Sequence, residues 1–223
     1  MSNKSVKLVV FDWEGTLADS LGEIFQAIAI QAQAFGLGDF DLKKARQYAG
    51  MGLAKAIQKL YPELNQQQLE SFLEAVQKTI HSHHQQTCLF PKALNMLQTL
   101  HEAGIHLAIA SNKGHQSLVK VLSSCQLLHF FPKIKTASDC NPKPCPDMLS
   151  ELMEFYQVDA TETLMVGDSD ADMQMAKTLN VPAIGVDFYA EYSQSLIDAG
   201  AVMVIDDYNE LLQYLDLKGV ERE

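Results

Sequence analysis

A chain of 223 residues, 47% hydrophobic and 20% charged, has the make-up of a water-soluble globular protein, long enough for one large domain or for a core with a small companion. A formal net charge of −11 argues against nucleic acid or an anionic membrane as the main partner. It also means that an anionic substrate needs a local basic site and a divalent cation. Met1–Lys7 is polar and the apolar run after it is too short for a secretory signal. No run approaches membrane-spanning length. Cys88, Cys125, Cys140 and Cys145 show neither paired spacing nor disulfide density, which fits a reducing cytoplasm.

The first strand is expected over Leu8–Phe11, an apolar run that delivers Asp12 at its C-terminal end, with Trp13, Glu14, Gly15 and Thr16 following at once. An open α/β sheet places its ligands beyond the carboxyl ends of its strands. A free Asp at such a point is a metal ligand, a nucleophile or both. From Leu21 to about His84 the pattern is helical throughout: Ile24, Ile28 and Ala32 share one face, and Leu69, Phe72, Leu73, Val76 and Ile80 line a later one. Gly-rich and Pro-containing segments at Phe35–Asp39, Tyr48–Gly52 and Tyr61–Pro62 punctuate the block. After it the chain alternates. Strands are expected at Ile105–Ala110, Lys133–Thr136, Thr163–Val166, Ala183–Val186 and Val202–Ile205. Helices are expected at Ala93–Ala103, His115–Ser124, Asp147–Tyr156, Asp170–Leu179, Ala190–Ala199 and Asn209–Leu215. Such alternation predicts a mostly parallel sheet with helices on both faces, and the helical block reads as a small second domain.

Three further strand ends carry polar residues. Ser111–Asn112–Lys113–Gly114 suits either a helix N-cap or a phosphate. Lys143 stands between Pro142 and Pro144, which stiffen its backbone. It is either a solvated loop lysine or a fixed cation. Gly167–Asp168–Ser169–Asp170–Ala171–Asp172 sets three carboxylates at alternate positions. They serve a helix N-terminus, or their mutual repulsion is relieved by a divalent cation; hard oxygens at modest number suit Mg²⁺. Other features read as bland. Trp13 packs at a strand end, His81, His83 and His84 lie on a solvated face, and Met165, Met173 and Met175 fill the core.

Taken together these four segments resemble the four motifs of the haloacid-dehalogenase-like hydrolases, in the right order and over almost the whole chain. The helical insertion falls where that family keeps its type-1 cap, and the similarity is greatest to phosphoglycolate-phosphatase-like members. The resemblance implies a Rossmann-like core of residues 1–18 and 85–223 and an all-helical cap of residues 19–84. It implies a Mg²⁺-dependent phosphatase acting on a small phosphorylated metabolite through an aspartyl-phosphate, as a monomer or homodimer. Asp12 would be the nucleophile and a metal ligand, and Glu14 the general acid/base, its backbone carbonyl also binding the metal. Ser111, Asn112 and Lys143 would hold the phosphoryl oxygens. Asp168 would bind the metal directly, and Asp172 would orient metal-bound water. Arg46, Gly50, Met51, Gly52 and Leu53 resemble the substrate-facing loop of the cap. Asp170 matches no required position. Glu14 departs from the pattern, which has Asp there. Rival functions on the same fold are a phosphosugar mutase, a C–P bond hydrolase, against which the retained carboxylate of Glu14 speaks, and a low-activity binding or regulatory protein.

Overall fold

The computed structural model describes residues 6–48, 53–83 and 89–217. The chain divides into two compact units, Met1–Ala18 with Leu89–Glu223, and Asp19–Cys88.

The first unit is an α/β sandwich. Its strands are β1 (Leu8–Phe11), β2 (His106–Ser111), β3 (Lys133–Thr136), β4 (Thr163–Gly167), β5 (Ala183–Val186) and β6 (Met203–Ile205). They form one six-stranded sheet in the order β3-β2-β1-β4-β5-β6, and every pairing is parallel. Parallel strands are covered on both faces, which is why β1 is an unbroken apolar run with every residue buried. Alternate residues serve opposite faces. Val9 and Phe11 join Leu97, Leu100, Leu118 and Leu211 on one side. Leu8 and Val10 join Met148, Leu152, Met165 and Met173 on the other. Each large side chain buried in this way contributes about 1.5–3 kcal/mol. Trp13 is buried at the end of β1, and Met165, Met173 and Met175 are core residues, as the sequence predicts. Cys125, Cys140 and Cys145 are free thiols.

Covering the sheet are α5 (Ala93–Glu102), α6 (His115–Ser124), α7 (Asp147–Tyr156), α8 (Asp170–Thr178), α9 (Ser193–Ala199) and α10 (Tyr208–Tyr214). The boundaries fall within one residue of expectation except at the start of α9. The helix expected from Ala190 begins only at Ser193. Ala190 has φ +56°, outside the right-handed helical region. The Asp187 carboxylate instead accepts the amides of Glu191 (3.0 Å) and Tyr192 (2.9 Å) and the hydroxyl of Ser193 (2.6 Å). Residues 187–192 are therefore a loop closed by an acid.

The second unit is all-helical among its described residues: α1 (Ser20–Ala34), α2 (Leu42–Tyr48), α3 (Leu53–Leu60) and α4 (Gln66–His83). The Asp19 side chain caps α1 by accepting the Gly22 amide at 2.7 Å. Ile28, Ala32, Ile57, Tyr61, Leu69, Phe72 and Val76 form its core. Phe72 is the centre, with its ring 5.2 Å from that of Phe35 and 5.6 Å from that of Tyr61. The face expected on α4 is thus the buried one, with Leu73 and Ile80 packed at its margin. Gly50, Met51, Gly52, His84, Cys88 and the side chains of His81 and His83 lie outside the described residues.

Candidate active site

In the strand order above, the chain leaves β1 toward β2 and β3 and then returns to the other flank of β1 with β4. The crevice beyond the carboxyl ends of β1 and β4 is therefore the switch point where α/β sheets bind ligands. Register puts Phe11 beside Val166, so Asp12 and Asp168 emerge as neighbours from the two strands. The Asp12 amide donates to the Val166 carbonyl at 2.9 Å, which extends the ladder to the nucleophile candidate itself.

Oxygens of Asp12, Asp168 and Asp172 lie within 4.8 Å of one another. Lys143 joins them. Its ammonium is 2.8 Å from Asp12 Oδ1 and 2.6 Å from Asp172 Oδ1, with only 4% of the side chain exposed. Asp172 is fully buried and both of its oxygens are engaged, Oδ2 accepting the Ser169 amide at 3.2 Å and its hydroxyl at 2.6 Å. That same contact is the capping box of α8. The structural reading of this acidic turn is thus correct, since Asp172 closes the capping box, and its other oxygen holds Lys143. Asp170 turns away and accepts the Ser195 hydroxyl on both oxygens at 2.9 Å.

Two glycines make room for this packing. Gly15 has φ +79°, and a Cβ there would meet Asp168 Oδ2 at 2.0 Å. A Cβ on Gly167 would meet Asp172 Cγ at 2.4 Å. The strand-end glycine is a condition for burying the carboxylate five residues later.

Ser111 ends β2, the other neighbour of β1, and is buried. Its hydroxyl accepts the Lys113 amide at 3.3 Å. Asn112 Oδ1 accepts the Lys143 amide at 2.9 Å, tying the β2 loop to the lysine between its prolines. Glu14, half-exposed, receives the Lys113 ammonium at 2.7 Å. A pair this open to water contributes about 0–1 kcal/mol and is readily exchanged. Arg46 lies in the last turn of α2, partly buried, in the helical unit.

The site also uses residues that the sequence reading passed over. The Thr16 hydroxyl donates to Asp168 Oδ1 at 3.1 Å. The buried Tyr208 hydroxyl donates to the Thr16 carbonyl, so α10 braces the loop after β1. Ser169 and Lys113 complete the set. Lys113 and Ser169 stand next to motif residues and could have been weighed by proximity. Tyr208 left no signal, because 192 residues separate it from its partner.

Electrostatics support a cation here. Burial pushes the Asp12 carboxyl up to about 6, against the pull of Lys143 and with a further push from Asp172. Burial, then Asp12 and Asp172, push Asp168 up to about 7. Burial opposes charge on Lys143, but Asp12 and Asp172 outweigh it and hold the ammonium above its ordinary value. Asp12 Oδ1 is buried and, although close to Lys143, receives no hydrogen bond of good geometry among the described residues. Four carboxylates (Asp12, Glu14, Asp168, Asp172) against two ammonium groups (Lys143, Lys113) leave a charge of −2, which one divalent cation cancels. An all-oxygen donor set with an underused buried oxygen fits a hard divalent ion.

An acid whose folded pKa is raised carries a penalty that is full above the folded value and absent below the unfolded one, about 3.9 for Asp. Metal-free protein should therefore become more stable as pH falls from about 7.5 to about 5, the window set by Asp12 and Asp168. Melting temperature in EDTA is the measurement. The rise should be smaller in Asp168→Asn, and Mg²⁺ should stabilise the native chain more at the upper end of the window. A melting temperature that falls over this window, or an unchanged slope in the variant, contradicts the assignment.

A parallel α/β core with a carboxylate nucleophile candidate, a buried lysine and an acidic pair at its switch point defines an enzyme fold of the hydrolase type. The chain belongs to the haloacid dehalogenase-like hydrolases, whose pattern matches residues 9–186. It is 33% identical to the phosphoglycolate phosphatase of Vibrio cholerae, over 94% of this chain and 97% of that one. It is 30% identical to the phosphoglycolate phosphatase of Vibrio vulnificus, over 95% and 97%. Among solved structures, a hydrolase of this family from Deinococcus radiodurans with bound phosphate and sodium superposes with a TM-score of 0.75 at 19% identity, covering 95% of each chain. A putative β-phosphoglucomutase from Thermotoga maritima superposes with a TM-score of 0.71 at 21% identity, covering 94% of this chain and 99% of that one. At these identities the two structures speak for the fold alone. No helix among the described residues is long and apolar enough to cross a membrane.

Proposed function

We propose that the protein is a cytoplasmic, Mg²⁺-dependent phosphatase that hydrolyses a small phosphate monoester of the phosphoglycolate kind through an aspartyl-phosphate on Asp12. The observation that carries this reading is the buried Asp12 carboxylate, 2.8 Å from the Lys143 ammonium and within 4.8 Å of the Asp168 and Asp172 oxygens. The phosphoglycolate phosphatases it resembles point to the same class of substrate.

Phosphoryl transfer depends on positioning and on neutralising charge. Asp12, Asp168 and the Glu14 carbonyl would hold Mg²⁺, which when bound offsets the charge of the transferring phosphoryl oxygens. Lys143 screens Asp12 from the incoming anion, and Ser111 with Asn112 holds its oxygens. Asp12 attacks phosphorus as the ester P–O bond breaks, and Glu14 gives its proton to the leaving alkoxide. Water then attacks the aspartyl-phosphate and returns a proton to Glu14. Inorganic phosphate leaves, and Asp12 is regenerated. Asp172 acts indirectly, by fixing Lys143. The helical unit would be the cap that selects the substrate, with Arg46, Gly50 and Met51 as its substrate-recognising residues. The mutase reading gains nothing beyond the shared fold, and retention of Asp12, Lys143 and Asp168 as a packed set argues against a purely regulatory protein.

The test is phosphate release from a panel of small phosphate esters. Turnover should need Mg²⁺, stop on addition of EDTA and return with excess Mg²⁺. Isomerisation of a phosphosugar without phosphate release would favour the mutase, and activity undiminished in EDTA would end the metal assignment.

Glu14 should make the enzyme slower on generic esters than an Asp would. Its side chain is longer by one carbon–carbon bond, about 1.5 Å, and a misplacement of roughly 1 Å can cost about a hundredfold in rate. Glu14→Asp should raise kcat on simple alkyl phosphates with little change in Mg²⁺ affinity, since the metal contact there is backbone. A lower kcat on the best substrate found would show the longer acid to be tuned to it.

A further inference from the structure

Loop lysines usually extend their charge into water. Lys113 does not: its side chain is 21% exposed and its ammonium lies 2.7 Å from Glu14 Oε1. Each partner stands two residues beyond a strand-end site residue, Glu14 after Asp12 on β1 and Lys113 after Ser111 on the adjacent β2. The two lysines of the site differ sharply. Lys143 is enclosed and committed between Asp12 and Asp172. Lys113 holds a single, half-exposed carboxylate among the described residues, and an ammonium has three protons to give.

We propose that Lys113 is the group that recognises the leaving alcohol, by binding a carboxylate carried on it, and that Glu14 occupies this place in the free enzyme as an internal stand-in for that carboxylate. The inference rests on the phosphatase reading above and names its substrate class more narrowly. If Glu14 serves the ester oxygen, the leaving group lies against Glu14. A carboxylate one carbon beyond that oxygen then falls within reach of an ammonium already touching Glu14. The exchange costs little because the pair it breaks is open to water, and it releases the Glu14 carboxyl to the ester oxygen. A neutral alkyl ester has nothing to offer Lys113 and leaves the pair intact.

The experiment compares 2-phosphoglycolate with ethyl phosphate, which shares the phosphoryl group and lacks the carboxylate. A charge-assisted hydrogen bond corresponds to a factor of at least about ten. Lys113→Met should raise KM for 2-phosphoglycolate by that factor and lower the kcat/KM preference for 2-phosphoglycolate over ethyl phosphate by at least as much, and Lys113→Arg should recover most of the preference. Titration calorimetry with the same two ligands in Ca²⁺ gives a readout independent of turnover. There Lys113→Met should erase the excess affinity for 2-phosphoglycolate, and Glu14→Gln, which removes the competing carboxylate, should increase it. Equal losses on both ligands, or no change on either, would overturn the proposal. If the native protein hydrolyses neither ester, the phosphatase reading fails, and the calorimetric arm alone decides whether Lys113 binds the carboxylate.

Discussion

Replacing Asp12 by asparagine should reduce phosphate release by at least about 10³-fold, the scale on which removal of a covalent nucleophile is felt. The substitution keeps the shape of the side chain and removes its charge, and with it the ability to attack phosphorus. Lys143 retains Asp172 at 2.6 Å as a partner, so the site should stay assembled. Because burial already disfavours the Asp12 charge, pushing its carboxyl up to about 6, the metal-free variant should melt no lower than the native chain at pH 7.5. Loss of turnover with undiminished stability is the expected pair of results. Full turnover in Asp12→Asn would rule out the aspartyl-phosphate.

Removing the charge of Lys143 should have the opposite signature. Lys143→Met leaves Asp12 and the wholly buried Asp172 facing each other without their cation. Breaking a buried ion pair in this way costs about 3–5 kcal/mol, because the stranded charge remains in a medium that solvates it poorly. Urea unfolding at pH 7.5 in EDTA should show a loss of that order. Part of it should return near pH 5, where the Asp12 carboxyl, raised to about 6, takes up a proton. Turnover should fall as well, since nothing then screens Asp12 from the phosphoryl anion. An unfolding free energy equal to that of the native chain would mean that the lysine is not the counter-ion the geometry makes it.

The fold was legible where local chemistry and tertiary demand agree. The runs that become β1 and β5 are buried at every residue, and their apolar residues announce it with the observed boundaries. The start of α9 was not legible. Ala190 favours a helix locally, yet Asp187 captures two amides and a hydroxyl further along and holds the segment as a loop. The site was legible through the strand-end acids and Lys143, whose residue types are informative in themselves. It was not legible in its supports. Thr16 donates to Asp168 across 152 positions and Tyr208 to Thr16 across 192, and no spacing rule encodes such contacts. The helix-cap role weighed at Asp168–Asp172 is present in Asp172, and the grip of the same carboxylate on Lys143 was not legible, because it joins residues 29 positions apart.

The most direct test of the central claim is to trap the covalent intermediate. Native enzyme, mixed with 2-phosphoglycolate and Mg²⁺ and quenched in acid within the first turnovers, should yield a single phosphorylated peptide, the one that contains Asp12. The label should be absent from Asp12→Asn and should disappear from native enzyme when the substrate is exhausted. A phosphoryl group on any other residue, or rapid phosphate release with no labelled Asp12 at any quench time, would contradict the account.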